Sequence, residues 1–325
     1  MRRVAVALLL PAAAAVALAG CGSSASTPAN NNAAVKISGT AGKAPSVTIP
    51  ASKPSTSLVT KTLAAGSGPV IAPTDSILAN FAVYIWHGKT HKLLFSSYTA
   101  TRGPTGQLIA PHPEVLPVKI GLTGLQTALS SAKVGSRVLA VLPPKYGYGQ
   151  VGNSKIGVKP TDTLVWVVDV LKDFAPTLGA TGQHITDGGG TLPKVTTSPA
   201  SGPQITVPKS APPSKLVVKT LIKGTGTPVK AGDAIVVRYV ASIWRNGKVF
   251  NDNWPSVAQP TAPPNEFQLG QLIPAWNTGL VGVPVGSRVM LVVPPAEGYG
   301  KKGQAAVGIN GTDTLVFVVD VLSVA

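Results

Sequence analysis

Apolar residues in this chain come in short β-branched runs closed by turn residues. Residues 234–240 read Ala-Ile-Val-Val-Arg-Tyr-Val, a strand pattern rich in β-branched and aromatic side chains. Arg245-Asn246-Gly247-Lys248 follows, and an Asn-Gly centre predicts a hairpin turn. Residues 288–293 predict a second buried strand, stopped by Pro294-Pro295, and 315–322 a long apolar last strand. Between them, residues 273–280 form the one short helix candidate. Pro274 suits a first helical turn, and the pattern ends near Gly282. Strands in sequence with a single short helix predict an α+β fold built on a mostly antiparallel sheet, not a βαβ arrangement.

The same pattern occurs earlier in the chain. Leu58-Val59-Thr60-Lys61-Thr62-Leu63 is echoed by Leu216-Val217-Val218-Lys219-Thr220-Leu221. Val134-Gly135-Ser136-Arg137-Val138 is echoed by residues 285–289. Pro143-Pro144 with Gly147-Tyr148-Gly149 is echoed by Pro294-Pro295 with Gly298-Tyr299-Gly300, and Thr161-Asp162-Thr163-Leu164 by residues 312–315. Matches in one order over such a distance predict two copies of a domain rather than a solenoid of small repeats. Residues 21–57 and 175–214 are rich in Ser, Thr, Ala, Pro and Gly without apolar periodicity, and read as a flexible tether and an interdomain linker. The domains are then 58–174 and 215–325.

The beginning of the chain adds a destination. Arg2-Arg3 precede an apolar run from Val4 to Ala17, too short for a confident membrane span, so 1–20 read as a signal peptide. Leu18-Ala19-Gly20-Cys21 resembles a bacterial lipobox, which implies lipidation of Cys21 and a membrane anchor outside the cytoplasm. Cys21 is the only cysteine, so no internal disulfide framework exists. Lys and Arg outnumber Asp and Glu by 28 to 12. With no basic cluster or basic helix, and with export expected, nucleic acid is rejected as a partner. An anionic membrane or wall polymer and plain scattered surface charge remain as readings.

In the second half an ordered set of residues resembles the FKBP-type peptidyl-prolyl cis-trans isomerases. The set is Val236-Val237-Arg238-Tyr239, Asn246-Gly247-Lys248-Val249-Phe250, Phe267-Gln268-Leu269-Gly270, Leu272-Ile273-Pro274-Ala275-Trp276, Val285-Gly286-Ser287-Arg288, Pro294 to Gly300, and Thr314-Leu315-Val316-Phe317. The resemblance implies two FKBP-like domains, each a twisted antiparallel sheet wrapped over one short helix. It implies Trp276 as the floor of a proline pocket, Tyr239, Phe250, Phe267 and Phe317 as walls, and Leu272, Ile273 and Ile309 as apolar lining. The Ile273 N–H and the Tyr299 hydroxyl would hold substrate carbonyls. Rotation about an X-Pro bond is slow because it breaks amide resonance, with a barrier of about 18–20 kcal/mol. A dry aromatic pocket favours the less polar twisted amide, which is catalysis by differential binding and needs no cofactor or metal. Where the family has Asp after the wall Phe, this chain has Asn251 with Asp252 next, and Asp252 either replaces the missing charge or does not. Macrolide inhibitors are further implied ligands.

The first half keeps the framework and alters the pocket. Phe81 stands for Tyr239, Ser96 for Asn251, Leu116 for Phe267, Leu125 for Trp276 and Trp166 for Phe317, while Phe95 and Tyr148 match Phe250 and Tyr299. This predicts a weak or inactive first domain, or one of different preference. His87, His91, His112 and His184 are the only histidines; His87 and His91 lie around a Gly-Lys-Thr turn, and with no Cys nearby and few carboxylates no metal site is expected. The function expected is an isomerase acting as a monomer on Pro-containing exported polypeptides at the cell surface. Its rivals are a non-catalytic Pro-segment binding module or holdase, and a wall-associated structural protein on the same fold.

Overall fold

The structure, a computed structural model, describes residues 30–102, 108–185, 190–198 and 202–325. The expected signal segment 1–20, Cys21 and residues 22–29 of the expected tether lie outside the described residues. Two antiparallel sheets dominate. In the first, the strands run in the order Val59–Ala64, Arg137–Leu142, Thr163–Phe174, Ser76–His87 and Thr90–Ser96, with Glu114–Pro117 also pairing on Ser76–His87. In the second, Val217–Lys223, Arg288–Val293, Leu315–Val324, Ala234–Ile243 and Val249–Asp252 follow one another, and Asn265–Gln268 pairs on Ala234–Ile243. Each sheet curves over one short helix, Thr123–Leu129 or Pro274–Gly279.

The central strands are buried along their whole length, which a sheet with one wet face does not allow. Consecutive strand residues point to opposite faces. Val289, Leu291, Phe317 and Val319 pack on the helix side, and Met290, Val292, Val316 and Val318 on the other. That second face is covered by a hairpin, Lys194–Ser198 paired with Gly202–Thr206, through Val195, Ile205 and Val207. The first sheet is covered in the same way by the hairpin Lys36–Ser38 and Ser46–Thr48, with Val35, Ile37, Val47 and Ile49 against Trp86, Leu139, Val141, Val165 and Val167. The two straps are tied alike: Trp86 Nε1 donates to Ser52 O at 3.0 Å and Trp244 Nε1 to Ser210 O at 3.0 Å, each across 34 residues. This corrects the tether and linker readings. The described parts of 21–57 and 175–214 are folded, because two-faced strands need a second cover, and the duplicated unit is longer at its start than 58–174 and 215–325.

Under each strap lies a buried ion pair set by strand register. Arg137 stands opposite Asp169 and Arg288 opposite Asp320. The Nε–Oδ1 distances are 2.6 and 2.5 Å, with a second bond of 2.7 Å in each pair. The straps complete these pairs: Arg137 donates to the Gly39 and Lys43 carbonyls, and Arg288 to Thr197 Oγ1 at 2.6 Å. Gly42 N–H and Ala180 N–H donate to Asp169 and Asp320. Full satisfaction is what makes such burial tolerable.

The two units touch. Leu78 and Phe174 share a buried cluster with Val236 and Leu322. Lys172 Nζ donates to the Leu322 carbonyl at 2.5 Å. Glu266 accepts from Val115 N–H at 3.0 Å and pairs with His112 Nε2 at 2.9 Å.

Candidate active site

The second unit's pocket is built from the helix upward. Pro274 occupies the helix start, where a missing N–H costs nothing. Ile273 precedes it in extended conformation (φ −58°, ψ 149°), and its N–H finds no acceptor among the described residues. One turn fixes Trp276 against the sheet, with its N–H bonded to Ile273 O at 3.0 Å and its side chain 4% exposed. Three rings meet the indole edge to face: Tyr239 at 5.5 Å and 88°, Phe267 at 5.5 Å and 84°, and Phe317 at 5.6 Å and 88°. Phe250 meets Phe317 at 5.9 Å and 89°. These are the favoured aromatic geometries, so the cluster is both apolar and stiff. The indole Nε1 is buried without a partner.

Over this floor is a cavity of about 160 Å³, lined by Tyr239, Phe250, Asn251, Phe267, Leu272, Ile273, Trp276, Tyr299 and Phe317. Sheet register brings them together: Ala241 faces both Phe317 and Asn251, and Ile235 faces Phe267. Tyr299 comes from the turn after Pro295–Glu297 and is 37% exposed. Burial first, then the neighbouring Tyr299 and Asp252, push the Tyr239 phenol up, so it stays a neutral donor at physiological pH. No hydrogen bond joins Asn251 to the Tyr239 hydroxyl among the described residues.

Two expected residues fall elsewhere. Ile309 is 2% exposed in the core cluster that includes Trp276 and Phe317 and is not among the residues lining the cavity. Asp252 points away from it, because it follows Asn251 in an extended strand, and it lines a different groove. The sequence reading missed Asn253. Its Oδ1 accepts from Tyr239 N–H at 2.7 Å, and its Nδ2 donates to Val237 O at 2.9 Å and Asn265 Oδ1 at 3.0 Å. Asn253 thus ties three strands around the Tyr239 wall. Its only signal in the sequence is a third polar residue after Asn251-Asp252.

That bond also corrects the alignment of the first unit. Ser97 Oγ accepts from Phe81 N–H at 2.9 Å, so Ser97 stands where Asn253 stands. Val83 faces Phe95 as Ala241 faces Asn251, and the bulge residues are Leu94 and Phe250. Phe95 therefore occupies the Asn251 position and is 44% exposed, Ser96 occupies that of Asp252, and Leu94 replaces Phe250. A shared Phe one position apart misleads an alignment by sequence. Of the first unit's aromatic counterparts only Phe81 and Trp166 are in ring contact, at 5.7 Å, while Tyr148 is half-buried against the core. Leu94, Leu116 and Leu125 complete that side. Among the described residues no group of three or more His, Cys, Asp or Glu side chains could hold a metal.

A family model described as FKBP-type peptidyl-prolyl cis-trans isomerase matches residues 102–171 and 225–322. An "FK506-binding protein" of Streptomyces anulatus is 33% identical over 124 residues, covering 38% of this chain and 96% of the relative. A "Probable FK506-binding protein" of Corynebacterium glutamicum is 33% identical over 121 residues, covering 37% and 97%. The crystal structure of FkpA from Escherichia coli is 35% identical over 34% of this chain and 47% of that chain, with a TM-score of 0.29. With matched stretches in both units that together cover more than half of its residues, this chain belongs to the FKBP-type peptidyl-prolyl cis-trans isomerases.

Proposed function

We propose that the second unit catalyses prolyl isomerisation on exported polypeptides and that the first is a weak or inactive copy used for support and spacing. The observation that carries this reading is the aromatic cavity on Trp276 beside the unpartnered Ile273 N–H. A proline ring enters a cavity from which water is excluded by Tyr239, Phe267 and Phe317. The planar amide is the more polar species and loses more on leaving water, so the twisted one is favoured there. Ile273 N–H accepts the role of donor to a substrate carbonyl, and the Tyr299 hydroxyl does the same from the rim. Asn251 contributes a neutral polar edge in place of a charge. A macrolide of the FK506 type would compete for the same cavity.

The signal-like 1–20 and the lipobox-like Leu18-Ala19-Gly20-Cys21 support an enzyme anchored by lipid to the outer face of the cell membrane, where unfolded chains arrive. Uncatalysed isomerisation takes about 10–100 s, slow enough to delay their refolding. Labelling with a radioactive fatty acid tests the anchor: Cys21→Ala should lose the label and leave the membrane fraction, and unchanged labelling would refute it.

The catalytic reading is tested on the mature chain with a proline-limited refolding substrate. Acceleration that falls in both Trp276→Leu and Tyr299→Phe supports it. No acceleration by folded protein favours a Pro-segment binding module. The missing Asn251–Tyr239 bond is the observation behind that second reading, and Asn251→Asp is its first check.

A further inference from the structure

The strand Val249–Asp252 serves two cavities. Among the described residues it is the last strand of its sheet and pairs only with Ala234–Ile243. Phe250 and Asn251 line the aromatic pocket, while Val249 and Asp252 line a separate groove of about 1010 Å³. The same division holds on the neighbouring strand, where Tyr239 belongs to the pocket and Val240 to the groove. Ile205 of the strap, Trp254, Val257 and the prolines Pro203, Pro255 and Pro260 add to its apolar surface. Val249 is 45% and Val257 105% exposed. Exposed apolar side chains gathered on one concave surface mark an interaction site rather than scattered surface residues.

We propose that this groove takes an extended apolar stretch of the same client polypeptide whose proline sits in the pocket. The inference rests on the pocket reading above. Continuity selects the occupant: Asn251 and Asp252 are neighbours on the edge strand, so a chain leaving the pocket passes round one edge, a matter of a few residues at about 3.3–3.6 Å each. The edge selects its conformation. Among the described residues no strand pairs the outer side of Val249–Asp252, and an extended segment can satisfy those backbone groups where a helix cannot. Charge selects its chemistry. Asp252 is the one charged side chain in the lining, in a protein of net charge +16, so the groove offers nothing to an anionic polymer or lipid headgroup. A client bound at both places is held in register with its proline over Trp276, which lowers KM for long apolar substrates without altering the chemical step.

The test compares two substrates on the mature chain: a proline tetrapeptide that reaches only the pocket, and a longer peptide with an apolar stretch about four to eight residues from its proline. Val249→Asp and Val257→Asp change exposed positions, and thermal melts check that both variants stay folded. In the double variant KM for the long peptide should rise about tenfold, with its kcat and both constants of the tetrapeptide unchanged. Equal effects on the two substrates, or none on either, would overturn the proposal. So would a concentration-dependent dimer lost in the variants with client KM unchanged, since the groove would then be a self-interface. Should neither substrate be turned over by the unaltered protein, the pocket reading fails on its own. Fluorescence titration with the apolar stretch lacking proline then decides the groove: binding weakened about tenfold in the double variant upholds it, and binding that is absent or unchanged sinks it.

Discussion

The two units agree at the side chains that hold the sheet and part at most of those that line the cavity, the rim tyrosines Tyr148 and Tyr299 excepted. Both have a strap hairpin, a tryptophan bonded to a strap carbonyl, and an arginine–aspartate pair beneath it. On the helix side, Trp276, Phe267 and Phe250 of the second unit correspond to Leu125, Leu116 and Leu94 of the first. Leucine fills a core as well as an aromatic ring does, so the first unit keeps the fold with aliphatic side chains at these three positions. The comparison thus separates two demands that one domain mixes: the shared ion pairs and straps hold the sheet, and most of the positions that differ line the cavity.

The largest effect expected concerns the strap. A fragment 215–325 uncovers Trp244, Met290, Val292, Val316 and Val318, each about 1.5–3 kcal/mol when fully buried. It also strips Arg288 and Asp320 of their bonds to Thr197 and Ala180. The loss rivals a typical domain stability of about 5–15 kcal/mol. Circular dichroism should find 175–325 folded with a cooperative melt and 215–325 unfolded or aggregated. Equal melting temperatures would return the strap to the status of a linker.

Next come the ion pairs. Asp320→Asn leaves a buried guanidinium short of its charge partner, a change that costs about 3–5 kcal/mol. Asp169→Asn should sit at the lower end of that range. Arg137 keeps two strap carbonyls as acceptors, whereas Arg288 keeps one hydroxyl. Urea unfolding of the two variants compares them, and a larger loss for Asp169→Asn would overturn this ordering of the supports.

Substituting within the cavity acts on turnover more than on folding. Trp276→Leu copies the first unit's floor and removes the centre of three edge-to-face contacts. A loss of about 1.4–2.8 kcal/mol of transition-state binding corresponds to a fall in kcat/KM of about 10–100-fold. The converse, Leu125→Trp, should give the first unit no activity, because Leu94 and Leu116 still leave two walls aliphatic. Turnover by the double variant Leu125→Trp/Trp276→Leu above that of Trp276→Leu alone would mean that the floor alone decides.

Much of this was legible before the structure. Strand runs, turn residues and Pro274 located the sheet and helix, and an ordered resemblance named every residue lining the cavity. What the sequence hid shares a physical cause: contacts between segments far apart in the chain. The straps look like linkers because a two-stranded hairpin of four or five apolar residues has no periodicity long enough to notice. The clue lay in the strands they cover, since Met290 and Val292 between Val289, Leu291 and Val293 leave no face for water. Phe95 misled because a bulge, not identity, sets which residue enters the pocket. Asp252 followed from the same cause: alternation sends it to the far side of the strand, whatever charge the pocket lacks.

The smallest effect lies between the units, where the first acts on the second. Glu266 adjoins the wall residue Phe267 and is held by His112 and Val115 N–H, with Glu114 the other carboxyl in that cleft. The bond to Glu266 is the main reason the His112 imidazole is raised from its usual 6.5 to about 9, against the opposing pull of burial. A folded value above the unfolded one means the folded chain holds the proton more tightly. The contribution is therefore complete below about pH 6.5 and lost as pH rises through about 9. Glu114, pushed up by burial and then by Glu266, has the same sign: its ionisation further opposes the contact as pH rises. Both sides are partly exposed, so the pair is worth about 0.2–1 kcal/mol. Dye labels on the two units should report a distance that lengthens between pH 7 and 10, and His112→Gln should flatten most of that response. A distance unmoved by pH in the unaltered chain would show that the apolar cluster of Phe174 and Leu322 alone sets the arrangement, and that the first unit steadies the Phe267 wall without any help from charge.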